Sequence, residues 1–368
     1  MKNILVVFGT RPEAIKLAPV ILELKKHPDK FNVIVCNTEQ QKELSNQTLG
    51  FFNIAADIKL DVMVPNQTLP ELQSNLLRKL AAVHAENDVD GTIVQGDTMT
   101  VFCGALTSFY NRKPVFHVEA GLRSYDMGEP FPEEAMRAMT SRITDLHFAP
   151  TEENRKMLLA ERIDDRKILV TGNTVIDALF SLPDERIRES EEFFSAHVKE
   201  KQKLVLVTAH RRENHGERLE QILDAVKQLA GAYKDHSFII PVHPNPNVKD
   251  RVHNVLSGID NISLMPPLDY PNLVWLTKNS RLILTDSGGI QEEATAFGTP
   301  LLVLRNETER QEGVEAGIAK LVGADKDAII SEARRRLDSA DDKKPLQIYG
   351  DGKASRRIAE AIGRYFKL

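Results

Sequence analysis

The 368-residue chain is poor in cysteine and has no surplus of basic residues. Its two cysteines, Cys36 and Cys103, both lie in apolar stretches, so we expect two small core residues rather than a disulfide framework. Lysine and arginine number 48 against 53 aspartates and glutamates, which gives a formal net charge of −5. Without a basic surplus, the composition argues against a nucleic-acid partner.

Long hydrophobic runs are also absent. The chain has no run of 18 apolar residues, and its first apolar run breaks at Gly9, which is too short for the core of a signal peptide. We therefore expect no membrane partner, and the sequence indicates a cytoplasmic protein.

The usual cofactor and metal motifs are missing as well. The first apolar run is not followed by Gly-x-Gly-x-x-Gly, and no Walker A loop occurs. His210 and His215 are five residues apart, so they would not share one face of a helix. The sequence therefore predicts neither a cofactor nor a metal.

Short, fully apolar segments alternate with amphipathic segments along nearly the whole chain. Strands of this kind, alternating with helices, are typical of parallel sheets covered on both faces. Two such series predict an α/β fold with two doubly wound, Rossmann-like domains, at residues 1–170 and 171–353. The predicted strands are 4–8, 33–36, 92–95, 115–118, 146–149 and 168–171 in the first series, and 204–208, 238–242, 262–265, 282–285 and 301–304 in the second.

Six of these strands end in polar residues and glycines. In open parallel sheets, ligands bind beyond the carboxyl ends of the strands. One central cleft between two facing domains would use all six ends, so we predict a single cleft. The polar strand ends are 9–13, 95–98 and 117–121 in the first domain, and 208–213, 242–244 and 285–289 in the second.

The segment 287–293 has the pattern of a tight turn that leads into a helix. Glycines allow a ligand to approach the backbone and helix N-terminal amides favour anions, so Ser287, Gly288 and Gly289 could hold a diphosphate. The alternative is a serine-capped helix with glutamates in its first turn, which the helix dipole also favours. Basic and imidazole side chains nearby favour the phosphate interpretation, namely His210, Arg211, His243 and Arg310.

Four side chains of the first domain have both a functional and a structural interpretation. Arg11 comes shortly after a glycine at a strand end. It could be a phosphate ligand or a surface arginine beside a helix cap. Asp97 and Glu133 stand where carboxylates also serve helix starts. Glu119 closes an apolar strand, where a buried carboxylate needs a partner, so a functional role is favoured.

Read in order, these segments resemble the non-hydrolysing UDP-N-acetylglucosamine 2-epimerases over essentially the whole chain. That family is similar in fold to the two-domain glycosyltransferases of the glycogen phosphorylase (GT-B) type. The resemblance implies that a C-terminal helix at 354–368 packs back on the first domain. It rests on GTRPEAIKLAP (9–19), HVEAGLRS (117–124), PFPEEAMR (130–137), TGNTVIDAL (171–179), HRREN (210–214), LTDSGGIQEEA (284–294) and ETER (307–310).

The resemblance also implies an activity. The reaction is reversible epimerisation at carbon 2, which interconverts UDP-N-acetylglucosamine and UDP-N-acetylmannosamine by elimination and re-addition of UDP through a 2-acetamidoglucal. A UDP-sugar substrate and a homodimer are expected. The implied catalytic residues are Asp97, Glu119, Glu133 and His210, and the implied substrate-binding residues are Arg11, Lys16, Arg137, Arg211, His243, Ser287, Gly288, Gly289, Glu293 and Arg310.

Other functions stay open at the level of sequence. A 2-epimerase of a related UDP-2,3-diacetamido uronic acid fits the same motifs, because these motifs do not specify which residues contact carbons 3 and 6 of the sugar. A glycosyltransferase of the same fold would need an acceptor, and three carboxylates in the first domain favour the epimerase over it. A hydrolysing epimerase fits the opening segment 9–16 poorly, and a nucleotide-sugar sensor would not need the carboxylates.

Overall fold

The computed structural model describes residues 1–195, 198, 203–243, 245–340 and 343–368. It divides into two compact units, one comprising residues 1–182 and 349–368 and the other residues 183–348. Pro244, at one of the polar strand ends predicted above, lies outside the described residues. Within these ranges, no helix combines the length and the apolar character needed to cross a membrane.

A seven-stranded parallel sheet organises the first unit. Its strands are β1 Lys2–Phe8, β2 Phe31–Asn37, β3 Ile58–Lys59, β4 Gly91–Gln95, β5 Val115–Val118, β6 Leu146–Ala149 and β7 Ile168–Val170. Their order is β3-β2-β1-β4-β5-β6-β7. The chain therefore winds outward from β1 in one direction and, from β4 onward, in the other, which is the doubly wound arrangement.

Helices cover both faces of this sheet, which explains why residues 4–8 of β1 are completely buried. The first helix begins with a capping box between Thr10 and Glu13, and Pro12 in its first turn lacks an amide that would need a partner. The helices are α1 Arg11–Lys25, α2 Lys42–Phe51, α3 Leu69–Glu86, α4 Met99–Tyr110, α5 Glu133–Arg142, α6 Glu152–Ala160 and α7 Thr174–Phe180.

The second unit repeats this plan with a six-stranded parallel sheet. Its helices are α8 Asp184–Ser195, α9 Glu217–Ala232, α10 Pro246–Leu256, α11 Tyr270–Asn279, α12 Gly288–Phe297, α13 Gln311–Glu315 and α14 Lys326–Leu337. Its strands are β8 Lys203–Thr208, β9 His236–Pro241, β10 Ile262–Met265, β11 Ser280–Thr285, β12 Leu301–Val303 and β13 Ala319–Leu321. The order β10-β9-β8-β11-β12-β13 is again doubly wound, with its switch between β8 and β11.

The last helix, α15 (Ala354–Tyr365), belongs to the first unit. Its N-terminal amides donate to Asp177 of α7, from Ala354 at 3.1 Å and from Ser355 at 2.7 Å. Near its C-terminal end, the ring of Tyr365 meets the ring of Phe116 edge-on at 5.3 Å between centroids. The first unit also extends to residue 182, beyond the boundary that the sequence suggested at 170, because α7 packs on α1.

The predicted α/β fold with two doubly wound domains is confirmed. Every strand predicted from an apolar run is present, with ends shifted by at most two residues. The edge strands β3 and β13 were missed because each is only two or three residues long and contains a lysine. Cys36 and Cys103 are both buried free cysteines, as expected of core residues.

Candidate active site

The turn from β1 into α1 is built around close backbone packing. A Cβ at Gly9 would lie 2.1 Å from Oγ1 of Thr38, so only glycine fits there. The buried carboxylate of Glu13 accepts from the amide of Gly9 at 2.7 Å, and burial raises its pKa above the usual range. Arg11, the first residue of α1, is part-exposed, and its amide donates to Oε1 of Gln41 at 3.1 Å.

Glu119 lies directly after β5 and is surrounded by donors. Its carboxylate accepts hydrogen bonds from the ammonium of Lys16 and from the amide of Gln95. A third hydrogen bond comes from Nδ2 of Asn173 at 3.0 Å. All of these groups are at least nine-tenths buried. Three donors facing two oxygens hold Glu119 as an anion, paired with the charge of Lys16.

The backbone of Glu119 is itself unusual. Its φ is +62°, in the left-handed region that side chains with a Cβ rarely adopt. Such a conformation costs on the order of 1 kcal/mol or more and persists where the surroundings over-determine it. The donors around its carboxylate supply that constraint, so the direction of the Glu119 side chain is fixed from several elements at once.

Asp97, after β4, is paired with Arg137 of α5. Nη2 of Arg137 donates to Oδ2 of Asp97 at 2.5 Å, and Nη1 lies 3.2 Å from Oε2 of Glu134. Burial raises the pKa of Asp97 above its usual value, and the nearby charge of Glu119 raises it further, although Arg137 opposes both effects. A carboxyl group with a raised pKa beside a fixed anion is suited to take up and release a proton.

Glu133 differs from its neighbour Glu134. It is the first residue of α5 and part-buried, and its side chain makes no hydrogen bond or ion pair with any residue that the structure describes. Glu134 is buried, pairs with Arg137, and accepts from the amides of Ser124 at 3.0 Å and Tyr125 at 3.1 Å. Glu134 therefore has a structural role that the sequence did not reveal, and the carboxylate of Glu133 stays available to a ligand.

In the second unit, Asp286 organises the loop that follows β8. It is completely buried after β11, and its Oδ2 accepts from the amides of His210 at 2.8 Å and Arg211 at 2.9 Å. Nδ2 of Asn214 donates to the same oxygen at 3.0 Å. Burial would raise the pKa of Asp286, but His210 and these donors outweigh it and lower the pKa.

The imidazole of His210 is oriented by the same carboxylate. Its Nδ1 lies 3.0 Å from Oδ1 of Asp286, which directs Nε2 away from the carboxylate. The ring of His243 stacks on it at 6.0 Å between centroids and 14° between planes. Burial and the charge of His210 both lower the pKa of His243. This arrangement can donate a hydrogen bond from His210 to an anion.

The start of α12 leaves its amides open to a ligand. The hydroxyl of Ser287, its N-cap residue, makes no capping hydrogen bond, so the simple serine-capped helix considered above is not what forms. Arg310 covers this helix start, because a Cβ on Gly288 would lie 2.9 Å from its Cζ. Its Nε donates to Oε1 of Glu292 at 2.9 Å, which fixes the guanidinium. Glu293, one residue further, is buried in α12.

Several cations lie close together around this helix start. Arg305 is buried and pairs with Glu213 at 2.9 Å and with Glu309 at 3.0 Å. Burial lowers the pKa of the Arg211 guanidinium, and the charge of Arg305 lowers it further. Glu309 and Glu213 offset part of this repulsion, and binding of an anion would offset more of it.

The structure brings the implied residues together within each unit. In the first, Lys16 contacts Glu119, Arg137 contacts Asp97, and Glu133 begins the helix that carries Arg137. In the second, His210 stacks on His243, and Gly288 lies against Arg310. The sequence missed the residues that hold these groups, although each stands inside a motif or a polar strand end given above, namely Gln95, Glu134, Asn173, Asp286 and Glu292.

Across the described ranges, no group of three histidines, cysteines, aspartates or glutamates is placed to hold a metal ion.

Comparison with known proteins gives the family. A family model described as UDP-N-acetylglucosamine 2-epimerase matches residues 22–363. The chain belongs to the UDP-N-acetylglucosamine 2-epimerase family. A member from Neisseria meningitidis is 44% identical over 98% of this chain and 99% of its own length. Another from Escherichia coli (strain K12) is 43% identical over 98% of each chain.

The family is also represented among solved structures. The crystal structure of the epimerase from Neisseria meningitidis bound to UDP-GlcNAc matches with a TM-score of 0.92 at 44% identity, covering 99% of this chain and 100% of that one. The agreement extends over both units, so this family member has the fold of the epimerases throughout and not in one domain alone.

Proposed function

We propose that this chain interconverts UDP-N-acetylglucosamine and UDP-N-acetylmannosamine by inverting carbon 2 of the sugar. The observation that carries the proposal is the cluster in which Lys16 and Asn173 hold Glu119 while Arg137 holds Asp97. A protein that only bound the nucleotide would not need the buried carboxylate of Glu119 beside the part-buried carboxylate of Asp97. The solved relative bound to UDP-GlcNAc supports the substrate class.

The diphosphate is assigned to the second unit. His210, the open amides of α12 and Arg310 are donors prepositioned for anionic oxygens. The leaving UDP gains negative charge as its bond to carbon 1 breaks, so these donors stabilise the transition state more than the substrate. Loss of one such donor typically costs about 3–4 kcal/mol. Arg211 is proposed as a further diphosphate ligand, His243 as a sugar ligand, and Glu293 as the acceptor for the ribose hydroxyls. Arg11, which belongs to the first unit, is proposed as a diphosphate ligand on the family resemblance alone.

The chemistry at carbon 2 explains why carboxylates are needed. No carbonyl lies beside this carbon, so its proton is not acidic. Its removal is coupled to departure of UDP: the C2–H electrons form the C1–C2 double bond, and UDP leaves with the electrons of the C1–O bond. The 2-acetamidoglucal then takes a proton on the opposite face of carbon 2, and UDP returns to carbon 1.

The three carboxylates have different surroundings and are assigned different work. The pKa of Asp97 is raised, chiefly by burial, and Glu133 has no partner among the described residues, so we assign the proton transfers at carbon 2 to these two. Glu119 already accepts hydrogen bonds from three donors, so it is assigned to hold Lys16 and to keep a negative charge beside Asp97. General acid–base catalysis of this kind typically contributes about 10²–10⁴-fold.

Exchange with solvent tests this function. In deuterated water, the epimerase reaction is expected to place deuterium at carbon 2 of both sugar nucleotides, measured by NMR and mass spectrometry. Asp97→Asn is expected to lower the rate of exchange by about 10²-fold or more. The exposed Asp88 in the same unit supplies the control, since Asp88→Asn leaves the site untouched. A glycosyltransferase would show no exchange at carbon 2, and a hydrolysing enzyme would release free sugar; either result contradicts the proposal.

The family resemblance also supports two expectations about the location and the assembly of the active protein. We propose that it works in the cytoplasm and as a homodimer. Light scattering on the purified chain, with an expected mass of twice 41.3 kDa, distinguishes a dimer from a monomer.

A further inference from the structure

Asn173 is a buried residue held by hydrogen bonds from both its backbone and its side chain. It stands just before α7, and its backbone N–H donates to the carbonyl of Tyr349 at 2.6 Å. Its Oδ1 accepts from the amide of Val175 at 3.0 Å, which caps α7. Its Nδ2 donates to Oε1 of Glu119 at 3.0 Å. Main chain and side chain are thus both fixed.

The capping bond decides which way the side-chain amide faces. An asparagine side chain has one accepting oxygen and one donating nitrogen. Because Oδ1 is engaged by the start of α7, Nδ2 is the atom that meets Glu119. The other donors to Glu119 are Lys16 and Gln95, whose side chains are longer and have more rotatable bonds. Asn173 is therefore the most rigid of the three donors.

The backbone of Asn173 is held by the chain that returns to the first unit. Besides the bond to Tyr349, Nη1 of Arg357 donates to the carbonyl of Thr171 at 2.9 Å. Asp177, on the same short helix, accepts from the start of α15. The donor to Glu119 thus rests on an assembly of α7, the segment 349–353 and α15, all within one unit.

We propose that Asn173 is a positioning residue that fixes the carboxylate of Glu119, and through it the ammonium of Lys16, in the arrangement needed for the carbon-2 chemistry. The inference rests on the proposed function. The side-chain nitrogen of Asn173 donates to Glu119, and this role is separate from the capping of α7 by the side-chain oxygen. Two substitutions separate these roles.

Asn173→Ser keeps a capping hydroxyl for α7 and removes the donor to Glu119. Asn173→Asp keeps the cap and the shape but replaces the donor with a second carboxyl group. At pH 7.5, both are expected to lower kcat by about 10-fold or more with little change in KM, because a hydrogen bond to a charged group is lost. Asn111→Ser, an exposed asparagine at the end of α4, is the matched control and is expected to behave as wild type.

The pH profile of kcat distinguishes positioning from a merely structural role. In Asn173→Asp, two carboxyl groups in contact share one proton at low pH, and the protonated Asp restores a donor to Glu119. The kcat of this variant relative to wild type is therefore expected to be highest at low pH and to fall as pH rises and the shared proton is lost. The charged or titratable groups that interact with Glu119 include Lys16 from α1, Asp97 after β4 and His117 from β5. Arg137 from α5 pairs with Asp97 beside them.

Asn173→Ser has no shared proton, so its loss of kcat is expected to be the same across pH 6–9. The pKa of His117 is lowered to about 4, which leaves it neutral throughout this range. Thermal melting of both variants shows whether they are folded, and the circular dichroism of the control gives the reference.

The outcomes separate this inference from the proposed function. Wild-type enzyme that fails to exchange deuterium at carbon 2 overturns the function itself. Active wild type, with both folded variants keeping wild-type kcat at every pH, overturns the positioning role alone. The positioning role is also overturned if both variants lose kcat by the same factor relative to wild type and that factor does not change with pH. A general packing defect would give that result.

Discussion

Gly288 and Gly289 are adjacent in the sequence but have different surroundings. A Cβ on Gly288 would meet the guanidinium of Arg310 at 2.9 Å, whereas a Cβ on Gly289 would have nothing within 4 Å. Both begin α12, so alanine would favour the helix at either position. The two substitutions therefore differ mainly in whether Arg310 must move.

We expect Gly289→Ala to raise the free energy of unfolding of the unliganded protein by up to about 1 kcal/mol, the usual gain in helix propensity. Gly288→Ala is expected to lower it by about 1–2 kcal/mol, because Arg310 is displaced from Glu292. Urea denaturation of both variants measures the difference. Shifts of the same sign and size would show that Arg310 does not pack on Gly288 in solution.

Single residues also show where sequence reasoning stopped. The polar strand ends were predicted because they interrupt apolar runs, but their partners come from strands far apart in the chain. Asp286 meets His210 because β11 lies beside β8, and Gln95 meets Glu119 because β4 lies beside β5. The spacing of residues along the chain predicts neither pairing. The residues that hold the implied catalytic groups can therefore be identified only from the order of the strands in each sheet.

Helix α15 shows how one element depends on another for its cap. Its own N-cap residue, Lys353, supplies no side-chain hydrogen bond. The carboxylate of Asp177 from α7 accepts instead from Ala354 and from both the amide and the hydroxyl of Ser355. Burial raises the pKa of Asp177, so part of what these hydrogen bonds contribute is offset by the cost of burying the charge.

Asp177→Ala is expected to lower the free energy of unfolding by about 1–2 kcal/mol, as for loss of a helix cap. Hydrogen exchange should become faster at the amides of residues 354–357, where the cap is lost. Asp351→Asn is the control, because the part-exposed pair of Asp351 with Arg357 lies near the surface and should be worth about 1 kcal/mol or less. Equal effects of the two substitutions would mean that Asp177 is not the cap of α15.

At the scale of elements, apolar patterning predicted the structure where it was strong. Strands of four or more residues that are buried on both faces stand out as apolar runs, and these were found. β3 and β13 lie at the sheet edges, where Lys59 and Lys320 are exposed and only two or three residues pair. Edge strands need little apolar surface, so their sequences give no comparable signal.

The whole molecule consists of one continuous and one discontinuous unit. Residues 183–348 form the second unit without a break, and apolar clusters cover its sheet on both faces, one including Val205 and Leu223 and the other Leu206 and Ile290. The first unit needs residues 349–368 in addition to 1–182. The sequence predicted two domains from two series of strands, but it could not show that α7 joins the first unit, because that depends on packing against α1.

This organisation predicts that the second unit folds alone. A fragment of residues 183–348 is expected to melt cooperatively by circular dichroism, because its sheet, both covering layers and the Asp286 network lie within it. Millimolar UDP should raise its melting temperature if this unit carries the diphosphate site, as binding to the folded state alone requires. Asp286→Asn within the fragment is expected to abolish most of that shift.

The first unit should behave in the opposite way when it is cut from its C-terminal segment. Residues 1–182 alone lack α15, whose buried face includes Ile358 and Ile362, and so leave the covering of α1 and the ring of Phe116 incomplete. Burying each such side chain is worth roughly 1.5–3 kcal/mol, which is a large part of the stability of an ordinary domain. The fragment 1–182 is therefore expected to aggregate or melt without cooperativity, and addition of a peptide spanning 349–368 should restore a cooperative transition. A stable, cooperative 1–182 fragment would mean that the returning segment is dispensable for the fold, and that the support it gives to Asn173 is local.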